Sequence, residues 1–135
     1  MAESCLLDAN ILLRYLTNDD PRKAAACEHL FRRAAKGDTR LVVSDLCLAE
    51  VAWTLDSFYG LGAPQIASQI TAILNTPGIK CSDLALWLDA LNRYTHHNVD
   101  FIDAYHAALS ATTKQKLYSY DRDFDAFADV TRLEP

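Results

Sequence analysis

Short apolar runs alternating with capped helical stretches are the feature that most restricts what this chain can fold into. Residues 5–7, 41–43, 78–81, 117–120 and 130–133 read as strands, the third weak and the fifth marginal. Each is too short for a helix and is bounded by polar or turn residues. Between them lie stretches of helical character, expected at 11–17, from about 21 to Gly37, from 46 to about 59, from 64 to about 75, from about 83 to 94, and at 102–113. Their start signals are Asp19 or Asp20 before Pro21, Ser44 or Asp45, Pro64, and Ser82; a side-chain oxygen at the cap, or a proline in the first turn, satisfies or removes an orphan amide. Strands alternating with helices argue for an α/β domain with a parallel sheet. At 135 residues, one domain spanning 1–135 is the expectation.

Composition narrows the setting. Four cysteines, Cys5, Cys27, Cys47 and Cys81, form no CxxC pair and stand in apolar surroundings, so they are expected to be buried free thiols of a reducing, cytoplasmic compartment. No membrane span and no secretory signal is expected. The formal net charge is −5, which by itself argues against a nucleic-acid partner. The location of the acids changes that argument.

Four of them stand where the local sequence favours apolar residues. Asp8 follows Leu6-Leu7; Glu50 lies among Leu46, Cys47 and Trp53 at helical spacing; Asp103 follows Phe101-Ile102; Asp121 ends Leu117-Tyr118-Ser119-Tyr120. Singly, each has an ordinary reading. Asp8 or Asn10 can cap the first helix, Asp103 can be a cap, Asp121 can open a turn, and Glu50 can pair with a buried arginine. Together they are harder to dismiss, since a buried carboxylate costs several kcal/mol unless paired. The basic residues cluster elsewhere, at Arg22-Lys23, Arg32-Arg33-Lys36 and Lys114-Lys116. A hard divalent cation, Mg²⁺ or Mn²⁺, takes oxygen ligands and would relieve the repulsion. Asp8 and Asp121 also fall at strand ends, where parallel sheets place their sites. Setting the four acids aside leaves the remaining chain close to neutral.

The segments Leu7-Asp8-Ala9-Asn10-Ile11-Leu12-Leu13-Arg14-Tyr15-Leu16, Leu48-Ala49-Glu50-Val51-Ala52-Trp53, Val99-Asp100-Phe101-Ile102-Asp103-Ala104 and Tyr118-Ser119-Tyr120-Asp121-Arg122-Asp123-Phe124 resemble, in this order, those of the PIN-domain family, in particular its VapC-type toxin ribonucleases. Ala9 stands where that family commonly has threonine. The resemblance covers nearly the whole chain. It implies a three-layer α/β/α fold with a mostly parallel sheet of strand order 3-2-1-4-5, which would set Asp8 beside Asp121. It implies metal and catalytic roles for Asp8, Glu50, Asp103 and Asp121, with Asn10, Ser119, Asp100 and Asp123 supporting them. It implies an Mg²⁺- or Mn²⁺-dependent endoribonuclease holding one or two ions and leaving 5′-phosphate ends, a cognate antitoxin, and a homodimer.

Asp8 and Asp103 are the foremost candidates for direct ligands, and Asn10 and Ser119 can hydrogen-bond the carboxylates. Unpaired RNA is the expected substrate, with Arg14, Tyr15 and Tyr120 candidates to contact it. The adjacent His96 and His97 read as surface residues rather than an acid–base pair, and His106 as a packing residue. Two rival readings keep part of this pattern: a phosphoryl-accepting receiver- or phosphatase-like Mg²⁺ domain, and a catalytically silent PIN-like RNA-binding module. The first lacks a lysine well placed near a strand end. The second sits poorly with a full set of acids.

Overall fold

The computed structural model describes residues 3–135. It forms two compact units, Met1–Ser82 and Asp83–Pro135, each described here by itself.

The first unit holds β1 (Glu3–Leu6), α1 (Ala9–Thr17), α2 (Pro21–Ala35), β2 (Thr39–Val42), α3 (Asp45–Ser57), α4 (Ala63–Leu74) and β3 (Ile79–Lys80). All strand pairs are parallel, in the order β1-β2-β3, with Cys5 opposite Leu41 and Leu41 opposite Ile79. The Leu7 N–H donates to the Val42 carbonyl at 2.9 Å, carrying β1's pairing one residue past its end. The core comes from one face of each helix: Leu12 of α1, Phe31 of α2, Leu48, Val51 and Leu55 of α3, and Ile66 and Ile70 of α4, with Leu41 of β2 and Val43 just past its end. Each large side chain buried this way stabilises the fold by about 1.5–3 kcal/mol.

Cap chemistry sets the helix starts. Asp20 accepts from the Lys23 N–H ahead of α2, with Pro21 in the first turn, and Ser44 accepts from the Cys47 N–H ahead of α3. Gly78, at φ +87°, leads into β3 where a Cβ would stand 2.2 Å from the Ala34 carbonyl oxygen, so only glycine fits both the backbone angle and the contact.

The second unit holds α5 (Leu84–His96), α6 (Phe101–Thr113), β4 (Leu117–Tyr118), a 3-10 helix (Arg122–Ala126) and β5 (Arg132–Leu133). Leu86 and Ala90 of α5 pack on Ala108 of α6, and Trp87 stacks on Phe101 with ring centroids 5.5 Å apart. β4 and β5 are parallel, Leu117 opposite Arg132. Parallel neighbours need a crossover of about a dozen residues, usually helical. Here the crossover contains the 3-10 helix, anchored by Phe124 and Phe127, which are buried against Ala107.

The α/β class and parallel pairing match expectation, and the segments 3-2-1 and 4-5 of the implied strand order appear as the two sheets. Several boundaries differ. β1 starts at Glu3 and β2 at Thr39, while β3 narrows to two residues. α1 begins at Ala9 rather than at residue 11, because Asp8 takes the cap position. Asp83, not Ser82, caps α5; the Ser82 hydroxyl donates instead to Asp45 at 2.7 Å. The thiols divide: Cys27 and Cys47 are buried, Cys81 is partly buried, and Cys5, expected to be buried, is exposed on β1. Among the described residues, no helix is long and apolar enough to cross a membrane.

Candidate metal centre

In the first unit, Asp8 takes the N-cap position of α1 in extended backbone, yet its side chain makes no cap hydrogen bond. Its carboxylate is therefore free for another partner. Ser44 sets the start of α3 so that Leu46, Cys47 and Glu50 line a cleft of about 430 Å³ together with Leu7, Asp8 and Ala9. Two carboxylates thus share one opening. Cys47 registers both: burial, followed by the negative charges of Asp8 and Glu50, pushes its thiol up to about 11.

Glu50 is exposed, against the expectation of partial burial. Its neighbours Leu46 and Trp53 are 83% and 63% exposed. Apolar residue types at helical spacing defined the wrong face here, since α3 buries Leu48, Val51, Ala52 and Leu55 instead. Asp8 and Asp121 are exposed as well, and Asp103 is half-buried. The cost of burying four unpaired carboxylates is therefore not what singles these residues out. Within each unit it is proximity: Asp8 and Glu50 line one cleft of the first, and Asp103 and Asp121 belong to one carboxylate cluster of the second.

In the second unit, Asp100 caps α6 by accepting from the Asp103 N–H at 2.9 Å. Asp103, a first-turn residue and not the cap, keeps its own carboxylate available. After β4, the Ser119 hydroxyl accepts from the Asp121 N–H at 3.0 Å, and the Asp121 carboxylate accepts from the Asp123 N–H at 2.9 Å. Ser119 was expected to bond a carboxylate directly; it holds the backbone of one instead. These turns bring one carboxylate oxygen each from Asp103, Asp121 and Asp123 within 4.8 Å of one another. Burial, then the charges of Asp100, Asp121 and Asp123, raise the Asp103 pKa, with His106 opposing them. None of the three clustered acids is in an ion pair among the described residues. Three oxygen donors without a cationic partner fit a hard divalent cation.

Asp123, expected to support the site, is a full member of the cluster. The signal for it was the Asp-x-Asp spacing of Asp121 and Asp123, which the 3-10 turn folds onto one side. His106 is exposed and acts electrostatically on Asp103, beyond the packing role expected of it. His96 bonds the Asn92 carbonyl and His97 packs on Phe127, so neither forms an acid–base pair. Among the candidate substrate contacts, Arg14 lines two cavities of about 350 and 220 Å³, both shared with the supporting residue Asn10. The Tyr15 ring meets Phe31 edge-on at 4.6 Å, while Tyr120, beside Asp121, is 71% exposed.

Known proteins supply an independent comparison. No individual curated protein matches the chain. The PIN domain family model matches residues 5–130, a range that includes all the acids described above. The chain therefore belongs to the PIN-domain family, whose fold is generally that of a nuclease.

Proposed function

We propose that this protein is an Mg²⁺- or Mn²⁺-dependent endoribonuclease, the toxin of a VapBC-type toxin–antitoxin pair, acting in the cytoplasm as a homodimer restrained by its antitoxin. The carboxylate cluster of Asp103, Asp121 and Asp123 carries the reading, because three acids with one oxygen each within 4.8 Å of the others repel one another and a divalent cation between them would relieve that repulsion. Membership of the PIN family supports the nuclease class. The catalytic carboxylates are Asp8 and Glu50 in the first unit, and Asp103 and Asp121 in the second.

A divalent cation held by such residues lowers the pKa of a water nucleophile and stabilises the leaving oxygen of a phosphodiester. The chain's own residues do the rest. Asp103 and Asp123 supply oxygen donors. Asp100 and Ser119, through backbone N–H groups, set where Asp103 and Asp121 stand. Asn10, one residue inside α1, lies close to Asp8 in sequence and serves it in the same supporting capacity. Tyr120, exposed beside Asp121, offers a ring for an unpaired base, and Arg14 offers charge to the backbone, with the partly packed Tyr15 beside it.

Incubation of the purified protein with structured and unstructured RNAs tests this. Cleavage should require Mg²⁺ or Mn²⁺, stop with chelator, and leave 5′-phosphate ends. Binding of RNA with no cleavage under any divalent metal would overturn the enzymatic reading. Formation of a stable aspartyl phosphate on Asp8 from a small phosphodonor would point instead to the phosphoryl-accepting class.

A further inference from the structure

Arg132 of β5 grips the turn that carries two of the clustered acids. Its Nη1 donates to the Ser119 carbonyl oxygen at 3.0 Å. Its Nε and Nη2 donate to Asp125 Oδ1 and Oδ2 at 2.9 and 3.3 Å. Nη1 also donates to Glu134 at 2.9 Å. Ser119 and Asp125 lie on either side of Asp121 and Asp123 in the chain, so one planar cation ties together both ends of the acid-bearing turn. The side chain is only 13% exposed, which limits the conformations it can sample.

The turn needs such a tie. A five-residue 3-10 helix has poor intrinsic hydrogen-bond geometry, and Asp121 and Asp123 repel each other and Asp103. Phe124 and Phe127 anchor the turn from the core side, and Arg132 adds a polar tie between its two ends. Arg132 bonds a neutral carbonyl and Asp125, leaving the three clustered carboxylates free of ion pairs. Resting on the metal-dependent reading above, we propose that Arg132 is a positioning residue, whose guanidinium fork joins Ser119 to Asp125 and so holds Asp121 and Asp123 in place with Asp103 for a divalent cation.

This role differs in sign from that of a simple nearby charge. A cation beside a metal site weakens metal binding by Coulomb repulsion, so a charge-only role predicts that Arg132→Gln binds metal more tightly. A positioning role predicts the reverse. Arg132→Lys keeps the charge but loses the fork that reaches two partners at once, so it isolates geometry.

The test is a Mn²⁺ titration of the full chain, followed by electron paramagnetic resonance of the free ion, with a thermal melt of each variant. Arg132→Gln and Arg132→Lys should each bind Mn²⁺ about 10–100-fold more weakly, the loss typical of residues that orient metal ligands. Glu134→Gln, which removes a partner outside the turn, should bind as the parent does. Equal or tighter Mn²⁺ binding by Arg132→Lys would overturn the proposal, and that variant decides alone if Arg132→Gln does not fold. Asp103→Asn separates the two levels: if the parent binds no Mn²⁺, or Asp103→Asn binds it as well as the parent, the metal reading itself fails.

Discussion

The two acidic groups of this molecule are built in different ways. Asp8 and Glu50 sit on the rim of an open cleft, one at the start of α1 and the other along the outer face of α3. Neither is drawn into a hydrogen-bonded turn with the other, and the charges of both add to burial in raising the pKa of the Cys47 thiol. Asp103, Asp121 and Asp123 instead stand with one carboxylate oxygen each within 4.8 Å of the others, their backbones set by local cap and turn hydrogen bonds, with burial and neighbouring carboxylate charges raising the Asp103 pKa. The first group is available at little cost in folding energy. The second stores repulsion that a cation would relieve. A candidate site can therefore be recognised either by carboxylates without other hydrogen-bonded duties or by electrostatic repulsion among them, and the two units of this chain offer one of each.

Cleavage should show the largest effect. Asp8→Asn and Asp103→Asn should each reduce RNA cleavage by well over the roughly 100-fold that supporting residues can cost, with folding retained by circular dichroism. A variant cutting as fast as the parent would remove that group from the catalytic set. Metal should come next. At a Mn²⁺ concentration of about 100 Kd, binding to the folded protein alone adds about 2.7 kcal/mol of stability, seen as a rise in melting temperature that Asp103→Asn diminishes.

A smaller and sharper contrast appears without metal. Because the folded Asp103 carboxyl is shifted upward, its protonated form favours the folded state. That contribution is fully present below the unfolded pKa of about 3.9 and is lost as pH rises through the raised folded value. At neutral pH the ionised group weakens the fold, so Asp103→Asn should raise the melting temperature of the metal-free protein at pH 7 and lose that advantage near pH 3. Asp8→Asn should give no such gain, since Asp8 is not one of the three mutually repelling carboxylates of that cluster. Equal gains for both would erase the distinction between the groups. The smallest effect is on Cys47, where Glu50→Gln should lower the thiol pKa from about 11. Thiol alkylation as a function of pH reads this directly, with exposed Cys5 reacting first in either form.

Much of the fold was legible in the sequence because its signals are local. Asp20 with Pro21, and Ser44, mark helix starts through hydrogen bonds spanning three residues, and the short apolar runs bounded by turn residues each contain a strand, though β3, β4 and β5 keep only two residues. Burial was less legible. Leu46 and Trp53 flank Glu50 at helical spacing, yet both face outward, because which face of an apolar helix is covered depends on what else packs there. Asp83 displaced Ser82 as a cap for a similar reason, the Ser82 hydroxyl having a distant partner in Asp45.

Taken alone, the sequence determined the residue types, the order of the acidic motifs and the alternation of strand and helix, since these depend on neighbours within a turn or two. Tertiary structure decided which carboxylates come close. It brought a carboxylate oxygen of Asp123, in the β4–β5 crossover, within 4.8 Å of one of Asp103 on α6, and it set Arg132 across the turn that carries Asp121 and Asp123. Contacts between groups far apart in the chain are fixed by packing and by side-chain reach, which no local pattern encodes.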